Sequence, residues 1–297
     1  MQKAKIAYGV KVTEVRPINL KTLKIPLPPL EEQHAIASFL DDKIAKIQEC
    51  IAKKTRMTEL LKEYKQALTT QITTKGLDPQ AKLKPSGVAW LGDIPGGVGV
   101  VRLRACFYEF DKECGEGDYT LLSVTQKEGI IPQSAIPNKK DISNRNKAKY
   151  KIVPLGAIAY NKMRMWQGAM GYNNISKGIV SPAYIVILPH QTAHAPYFHY
   201  LFKSPYMLAM FNKFSYGLCA DMNCLRYEDF QNILTPLPPL PEQHAIASAL
   251  DEKTAKIDSL LAKLQAQIQA LKEHKSALIS AGVLGQLPLK ANHAKIQ

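Results

Sequence analysis

Glu32-Gln33-His34-Ala35-Ile36-Ala37-Ser38, led by Leu27-Pro28-Pro29-Leu30, returns 210 residues later as Glu242-Gln243-His244-Ala245-Ile246-Ala247-Ser248, led by Leu237-Pro238-Pro239-Leu240. The offset holds downstream. Asp41, Lys43, Ala45, Lys46 and Ile47 answer to Asp251, Lys253, Ala255, Lys256 and Ile257, and Leu61-Lys62-Glu63, Lys65 and Ala67-Leu68 to Leu271-Lys272-Glu273, Lys275 and Ala277-Leu278. A long-period repeat of this kind means one structural unit used twice. The two copies bracket sequence of a different texture, so the chain reads as repeat, insert, repeat.

Each copy predicts a long helix. The proline block cannot continue a helix inward but suits its first turn, where Glu32 or Glu242 favours the dipole. Beyond that start, neither copy holds a Gly or Pro for about ten turns. In the second copy apolar residues fall at steps of three and four: Ile257, Leu261, Leu264, Ile268, Leu271 and Leu278, with Lys275 breaking the series. The first copy keeps the frame through Leu40, Ile44, Ile47, Ile51, Leu61, Leu68 and Ile72, interrupted at Lys54, Thr58 and Lys65. A 3.5-residue period sustained this long is a coiled-coil pattern. Two such helices of about 40 residues joined by an insert pack most simply as an antiparallel pair, a spacer and docking surface, with Lys75-Gly76 and Gly282/Gly285 as stops.

The insert, from about Lys84 to Leu234, carries short β-rich runs punctuated by Gly, Pro and Asn. Val98–Leu103, Tyr119–Val124, Tyr150–Val153, Ala157–Tyr160 and Tyr184–Leu188 read as strands, Pro154-Leu155-Gly156 as a turn, and Ala195–Phe214 as helical. The fold class expected is α+β: a mixed α/β module with two long helices forming an antiparallel coiled coil.

Charge narrows the function. The chain of 297 residues carries a formal charge of +14, which favours a polyanionic partner. Between Asn138 and Lys177 stand nine Lys/Arg against one acid, Asp141, interleaved with Tyr150, Tyr160, Asn161, Trp166, Gln167, Tyr172, Asn173 and Asn174. Lys and Arg neutralise phosphates, while Asn, Gln and Arg pair with base edges. Phosphate contacts are expected from Lys139, Lys140, Arg145, Lys147 and Lys149, with Lys162 and Lys177 in the same basic stretch. Base contacts are expected from Arg164, Gln167, Asn173 and Asn174, with Tyr216 and Asn223 as further candidates. No apolar run approaches the roughly 18–20 residues of a spanning helix, and Met1–Lys5 lacks a signal-peptide core. Five cysteines without a C-x-x-C pair suit reduced thiols, so the expected location is cytoplasmic.

Catalytic signatures are sparse. The sequence lacks a phosphate-binding G-x-x-x-x-G-K-[ST] loop, an H-E-x-x-H pair and a G-x-S-x-G elbow. It also lacks the Asp-Pro-Pro-Tyr-type motif of amino-methyltransferases. His190 and His194, with His199 nearby, have a helical zinc-like spacing, but Pro189 and Pro196 flank them and no Cys or acid joins, so no metal is expected. Cys219 and Cys224 read as thiols rather than metal ligands. A binding protein is expected rather than an enzyme.

Pro28-Pro29-Leu30-x-Glu32-Gln33-x-x-Ile36 with Leu40-Asp41, and its copy at Pro238–Asp251, resembles the DNA specificity subunit of type I restriction-modification systems. Ser86-Gly87-x-x-Trp90-Leu91-Gly92-x-Ile94-Pro95 with Val101-Arg102-Leu103 is similar to the start of that family's target recognition domain, and Gly168, Gly171, Gly178-Ile179-Val180-Ser181-Pro182 and Tyr184 to its centre. The resemblance implies a division into 1–24, the tail of a first recognition domain; 25–80, a central conserved helical region; 84–234, a target recognition domain; 235–285, a distal conserved helical region; and 286–297, a C-terminal tail. Gly9–Ile25 parallels Gly217–Thr235 in leading to the proline block. The resemblance implies a half-specificity subunit whose one recognition domain reads half of a bipartite double-stranded DNA site. Its helices would act as a ruler and dock methyltransferase (modification) and motor-nuclease (restriction) subunits. With one recognition domain in the chain, two copies are expected to associate head-to-tail as a homodimer through the helical regions. S-adenosylmethionine, ATP and Mg would sit on those partner subunits only. Two rival readings are a coiled-coil scaffold whose basic module binds RNA or an acidic protein, and an autonomous adenine methyltransferase.

Overall fold

The computed structural model describes residues 25–89, 91–126, 128–136, 147–217 and 223–287. Packing divides the chain into two units, Met1–Leu60 with Leu260–Gln297, and Leu61–Ser259.

Each repeat copy forms one helix, α1 (Leu30–Lys75) and, last in the chain, α5 (Leu240–Val283), of 46 and 44 residues against about 40 expected. The pair is antiparallel. In the first unit Leu40 lies against Gly282, and the Lys54 ammonium donates to Gln267 Oε1 at 2.7 Å. In the second unit the Lys65 ammonium reaches both carboxylate oxygens of Asp258, at 2.6 and 2.7 Å. The polar interruptions in the apolar frame therefore make cross-helix bonds, and they fix register because any slip strands a charge on an apolar stripe. The third interruption, Thr58, is buried and donates its hydroxyl back to Lys54 O at 2.9 Å. Gly282 does not stop its helix. It lies inside α5, where a Cβ would stand 2.8 Å from Leu40 Cδ1, and the left-handed residue beyond the helix is Gly285 (φ +68°). At the other helix the expected stop stands at Gly76 (φ +77°), whose N–H closes on Ile72 O at 3.1 Å.

The second unit holds the strands: β1 (Leu83–Pro85), β2 (Asp93–Pro95), β3 (Gly99–Arg102), β4 (Phe107–Glu109), β5 (Thr120–Thr125), β6 (Gly129–Pro132), β7 (Lys151–Val153), β8 (Ile158–Asn161), β9 (Met170–Tyr172), β10 (Gly178–Val180), β11 (Tyr184–Pro189) and β12 (Leu234–Leu237). Two four-stranded sheets, ordered β6-β5-β10-β7 and β4-β11-β8-β9, form its centre; among the described residues only β10 on β5 is a parallel pairing. Leu122, Val124, Val153, Ala159, Val180 and Val186 fill the core they share. Strand β12 returns antiparallel along β3, and Leu103 N–H donates to Ile233 O at 2.9 Å. The two ends of the insert are thus bonded to each other.

Helices α2 (Ala195–Phe202), α3 (Pro205–Lys213) and the single turn α4 (Tyr227–Phe230) close the larger core. The sequence reading expected one helical stretch over Ala195–Phe214. It breaks at Ser204-Pro205, where proline removes a donor and Ser204 Oγ caps the new helix by accepting from Met207 N–H. Phe107, Phe198, Phe202, Phe211 and Phe230 pack edge-to-face and stacked at 4.9–6.1 Å, alongside Ile72 of α1 and Ile246 and Leu250 of α5. The inner segments of both repeat helices are therefore core elements of the same unit as the sheets.

Candidate nucleic-acid interface

The strand ends determine which polar side chains meet. Because β5 and β10 run parallel, their C-terminal ends share one side of the sheet, and antiparallel β7 puts Lys151 opposite Val180 at that side. The second sheet joins it there: Asn161 ends β8 opposite Tyr184, whose N–H donates to Ser181 O just after β10 at 3.1 Å. At this side two loops project, the β5–β6 turn with Gln126 and the β8–β9 loop with Lys162, Arg164 and Gln167.

Both loops are held by their own bonds. In the β8–β9 loop Met165 is fully buried and anchors a 3₁₀ turn, Met165–Gln167, that Gly168 ends at φ +82°. Asn161 N–H donates to Ala169 O, Ala169 N–H to Arg164 O, and Asn161 Oδ1 accepts from Met163 N–H, all at 2.9–3.1 Å. In the β5–β6 turn Thr125 Oγ1 accepts from Glu128 N–H at 2.9 Å, and Gly129 takes φ +73°. The loops meet side chain to side chain: Gln126 Nε2 donates to Gln167 Oε1 at 3.0 Å, and both residues are exposed. Arg164, also exposed, lines two concavities. One of about 700 Å³ includes Gln126, Glu128, Asn161 and Tyr184, and one of about 570 Å³ includes Asn161, Met163, Trp166 and Gln167. A guanidinium and two amides on pre-bonded loops offer donors and acceptors in fixed directions, the requirement for reading base edges.

Other candidates are placed elsewhere. Asn174 and Lys177 precede β10 and so lie at the opposite side of the sheet from Arg164, with the Lys177 ammonium 5.3 Å from the Tyr119 ring. Asn173 is a correction. Its side chain is fully buried, its amide donates to Val153, Pro154 and Ser176 carbonyls at 2.8–3.1 Å, and its Oδ1 accepts from Ile175 N–H. Those bonds leave it nothing to offer a base; it staples the loop before β10 to the β7–β8 turn. Lys149 is exposed at the Val180 side, and half-buried Lys147 gives its carbonyl to Tyr150 N–H. Lys139, Lys140 and Arg145 lie outside the described residues, as does Cys219.

The segment that carries Asn223 and pairs with Tyr216 is joined to the loop through Leu225. Tyr216 bridges Cys224, and Leu225 N–H donates to Lys162 O at 2.7 Å. The Arg226 guanidinium lies over the Tyr216 ring at 5.4 Å. Sequence reasoning missed Arg226 and Gln126, since each stands outside the basic stretch and is delivered by a turn. Lys151, one of the nine cations of the basic stretch, is paired with Asp111 at 2.8 Å and Glu109 at 3.8 Å. Burial raises the Glu109 pKa, and Lys151 partly offsets that.

The three histidines with helical zinc spacing go to three different partners. His190 lies 5.2 Å from the Tyr108 ring and His194 3.7 Å from the His244 ring. His199 Nδ1 accepts from Tyr172 N–H at 3.3 Å, and burial pushes its pKa down to about 3.

The family model for the type I restriction modification DNA specificity domain matches residues 1–59 and 96–270. The chain belongs to that family. It is 25% identical over 295 residues to the type I restriction enzyme MjaVIII specificity subunit of Methanocaldococcus jannaschii, covering 95% of this chain and 66% of the relative. Among solved structures, one concerned with complex assembly and conformational transition of the type I R-M system superposes with a TM-score of 0.68 at 18% identity, covering 94% of this chain and 66% of the other. The HsdS subunit of Thermoanaerobacter tengcongensis gives 0.53 at 18% identity, covering 96% and 66%. The chain thus spans about two thirds of the length of these relatives, with the same mixed α+β fold and paired long helices.

Proposed function

We propose that this chain is a DNA specificity subunit of a type I restriction-modification complex, in which its one recognition module reads half of a bipartite double-stranded site. The family match on both repeat copies and the insert carries the reading. The Arg164, Gln126 and Gln167 cluster on pre-bonded loops, within a chain of charge +14, supports it. In this reading Arg164 and its neighbouring amides meet base edges, while Lys149, Lys162 and Arg226 meet phosphates. Lys139, Lys140, Arg145, Lys147 and Lys177 remain phosphate candidates, and Asn174, Tyr216 and Asn223 further contacts. The paired helices dock modification and restriction subunits. S-adenosylmethionine, ATP and Mg belong to those subunits, and this chain contributes recognition rather than catalysis.

The same reading includes association of two copies through the helical regions, giving a two-fold arrangement and a palindromic split site. Ile36 and Leu40 of the first repeat are half-buried, whereas their counterparts Ile246 and Leu250 in the second are fully buried, and Leu30 is 65% exposed against 37% for Leu240. Duplicated sequence with such unequal burial suits a surface that an additional module covers.

Methylation mapping tests the proposal. DNA treated with this chain and a modification subunit acquires methyl groups at one bipartite sequence, and Arg164→Ala relaxes the preference at one position. Lys149→Ala instead weakens all sequences alike and reduces the salt slope by about one unit. Methylation of random positions, or methyl transfer by this chain alone, contradicts the assignment.

A further inference from the structure

We propose that Gln126 and Gln167 act as one composite reader of adenine in the major groove. The inference rests on the DNA-reading function above and assigns a base to this pair.

A primary amide has one acceptor oxygen and one donor nitrogen. The bond from Gln126 Nε2 to Gln167 Oε1, 3.0 Å long, uses the nitrogen of one and an oxygen lone pair of the other. The atoms this bond leaves wholly free are the Gln126 oxygen and the Gln167 nitrogen, while the two atoms it joins keep one N–H and one lone pair. Reversing both amides exchanges the roles and leaves the same pair, one acceptor beside one donor. Adenine presents the complement in the major groove, an N7 acceptor next to an N6 amino donor, whereas guanine presents two acceptors, N7 and O6. For a base seated on those two free atoms, guanine O6 would face the amide oxygen, acceptor against acceptor, so this seating favours adenine over guanine.

Position and rigidity support the assignment. The two glutamines come from different strand ends, so their contact is tertiary, and each loop is fixed by its own bonds: Thr125 Oγ1 with Glu128 N–H on one side, Asn161 with Ala169 and Met163 on the other. Both residues are exposed. Gln126 lines one concavity, Gln167 the other, and Arg164 lies in both. A reader held in place before binding loses less freedom on docking than a mobile one. Gln126 is then a positioning and reading residue together, since its nitrogen orients the partner amide while its oxygen faces the base.

The test is selection from a pool of random double-stranded DNA by the full chain with a modification subunit added, comparing wild type, Gln167→Ala, Gln167→Glu and Gln126→Leu. Wild type is expected to enrich a motif with a fixed adenine. Gln167→Ala and Gln126→Leu should flatten that one position by roughly 5- to 150-fold and leave the others intact. Gln167→Glu, which keeps an acceptor and loses the donor, should move the position toward cytosine, whose amino group donates. Thermal melting should be unchanged in all three variants, since the side chains are exposed. An intact adenine in every variant overturns the inference while DNA reading stands, and so does uniform weakening at all positions, which would mark the pair as a loop staple. Enrichment of no motif by wild type removes the DNA-reading function and this inference with it.

Discussion

Gln243 and Gln33 occupy the same place in the duplicated heptapeptide, and replacing each with alanine measures what the fold does with one sequence in two settings. Gln243 is fully buried. Its Nε2 donates to Pro238 O at 2.8 Å and to Thr192 O at 2.9 Å, and its Oε1 accepts from His194 N–H at 2.8 Å. One side chain thus ties the proline block, the helix start and the segment before α2. Gln33 is half-buried and, among the described residues, repeats only the local bond, from Nε2 to Pro28 O at 2.7 Å.

Truncating Gln243 strands an amide N–H and two carbonyls. A buried group left unpaired costs about 1–3 kcal/mol, with carbonyls at the lower end because they keep a second lone pair. Partial access of water trims the sum, so Gln243→Ala is expected to lose about 3 kcal/mol. Gln33→Ala, where water can replace the lost partner, should lose about 0.5–1 kcal/mol. In the larger unit, which holds Gln243, the first loss corresponds to a Tm drop of about 6–12 °C, and in the smaller unit, which holds Gln33, the second corresponds to about 2–8 °C. Scanning calorimetry of the full chain at neutral pH reads both. Equal drops for the two variants would refute the reasoning, because the environment would then contribute nothing beyond the shared sequence.

Two further outcomes are expected. His199 is neutral in the fold, its pKa pushed by burial from 6.5 to about 3, so the unfolded chain binds a proton that the folded chain refuses; stability should fall by about 1.4 kcal/mol per pH unit as pH drops below about 6.5. Urea titrations of wild type and His199→Asn between pH 7 and 4.5 test this, and parallel curves would show that His199 is not the group responsible. Gly171→Ala should destabilise by about 1–3 kcal/mol, since a Cβ there would stand under 3 Å from the Gly129 and Ile130 backbone at the start of β6. A Tm within 1 °C of wild type would show that β9 can shift, at about 2–4 °C per kcal/mol for a unit this size.

The helices were the most legible part of the fold, because a repeat and a sustained apolar period are properties of the chain alone. Even their polar interruptions carried information: Lys54 and Lys65, unexplained as members of an apolar frame, find Gln267 and Asp258 on the facing helix. The five strands expected from composition lie at or within a residue or two of observed strands. Strands β1, β2, β4, β6, β9, β10 and β12 were not read from sequence. They are three or four residues long and, unlike the equally short β3, β7 and β8, none except β4 lies in a run of four residues with β-branched or aromatic members beside a turn residue that would mark it locally. The candidate site was legible only in residue type. Asn173 and Gln167 look alike as exposed amides in a basic run, but one is enclosed by three carbonyls and the other faces solvent. Gln126 lies 41 residues from Gln167 and meets it through the packing of two strand ends, a relation no local pattern encodes.

The placement of that pair bears on how recognition and helix packing are separated. Strands β3 and β12 bond the two ends of the insert to each other, and Gln243 locks the start of α5 to the segment before α2. The Gln126 turn and the 162–168 loop lie at neither junction; each is closed by its own hydrogen bonds above a buried anchor such as Met165. A side chain can therefore change on these loops without displacing the β3–β12 pairing or the helix start. With DNA read as proposed, base preference is set by exposed residues whose replacement costs little stability, while the packing of the paired helices stays as it is. Gln243 behaves oppositely, since its change acts on packing at the helix start, away from both loops. Variants of Gln126, Arg164 and Gln167 should accordingly keep wild-type melting and change sequence choice, and a variant of Gln243 that melts early should retain wild-type choice below its transition.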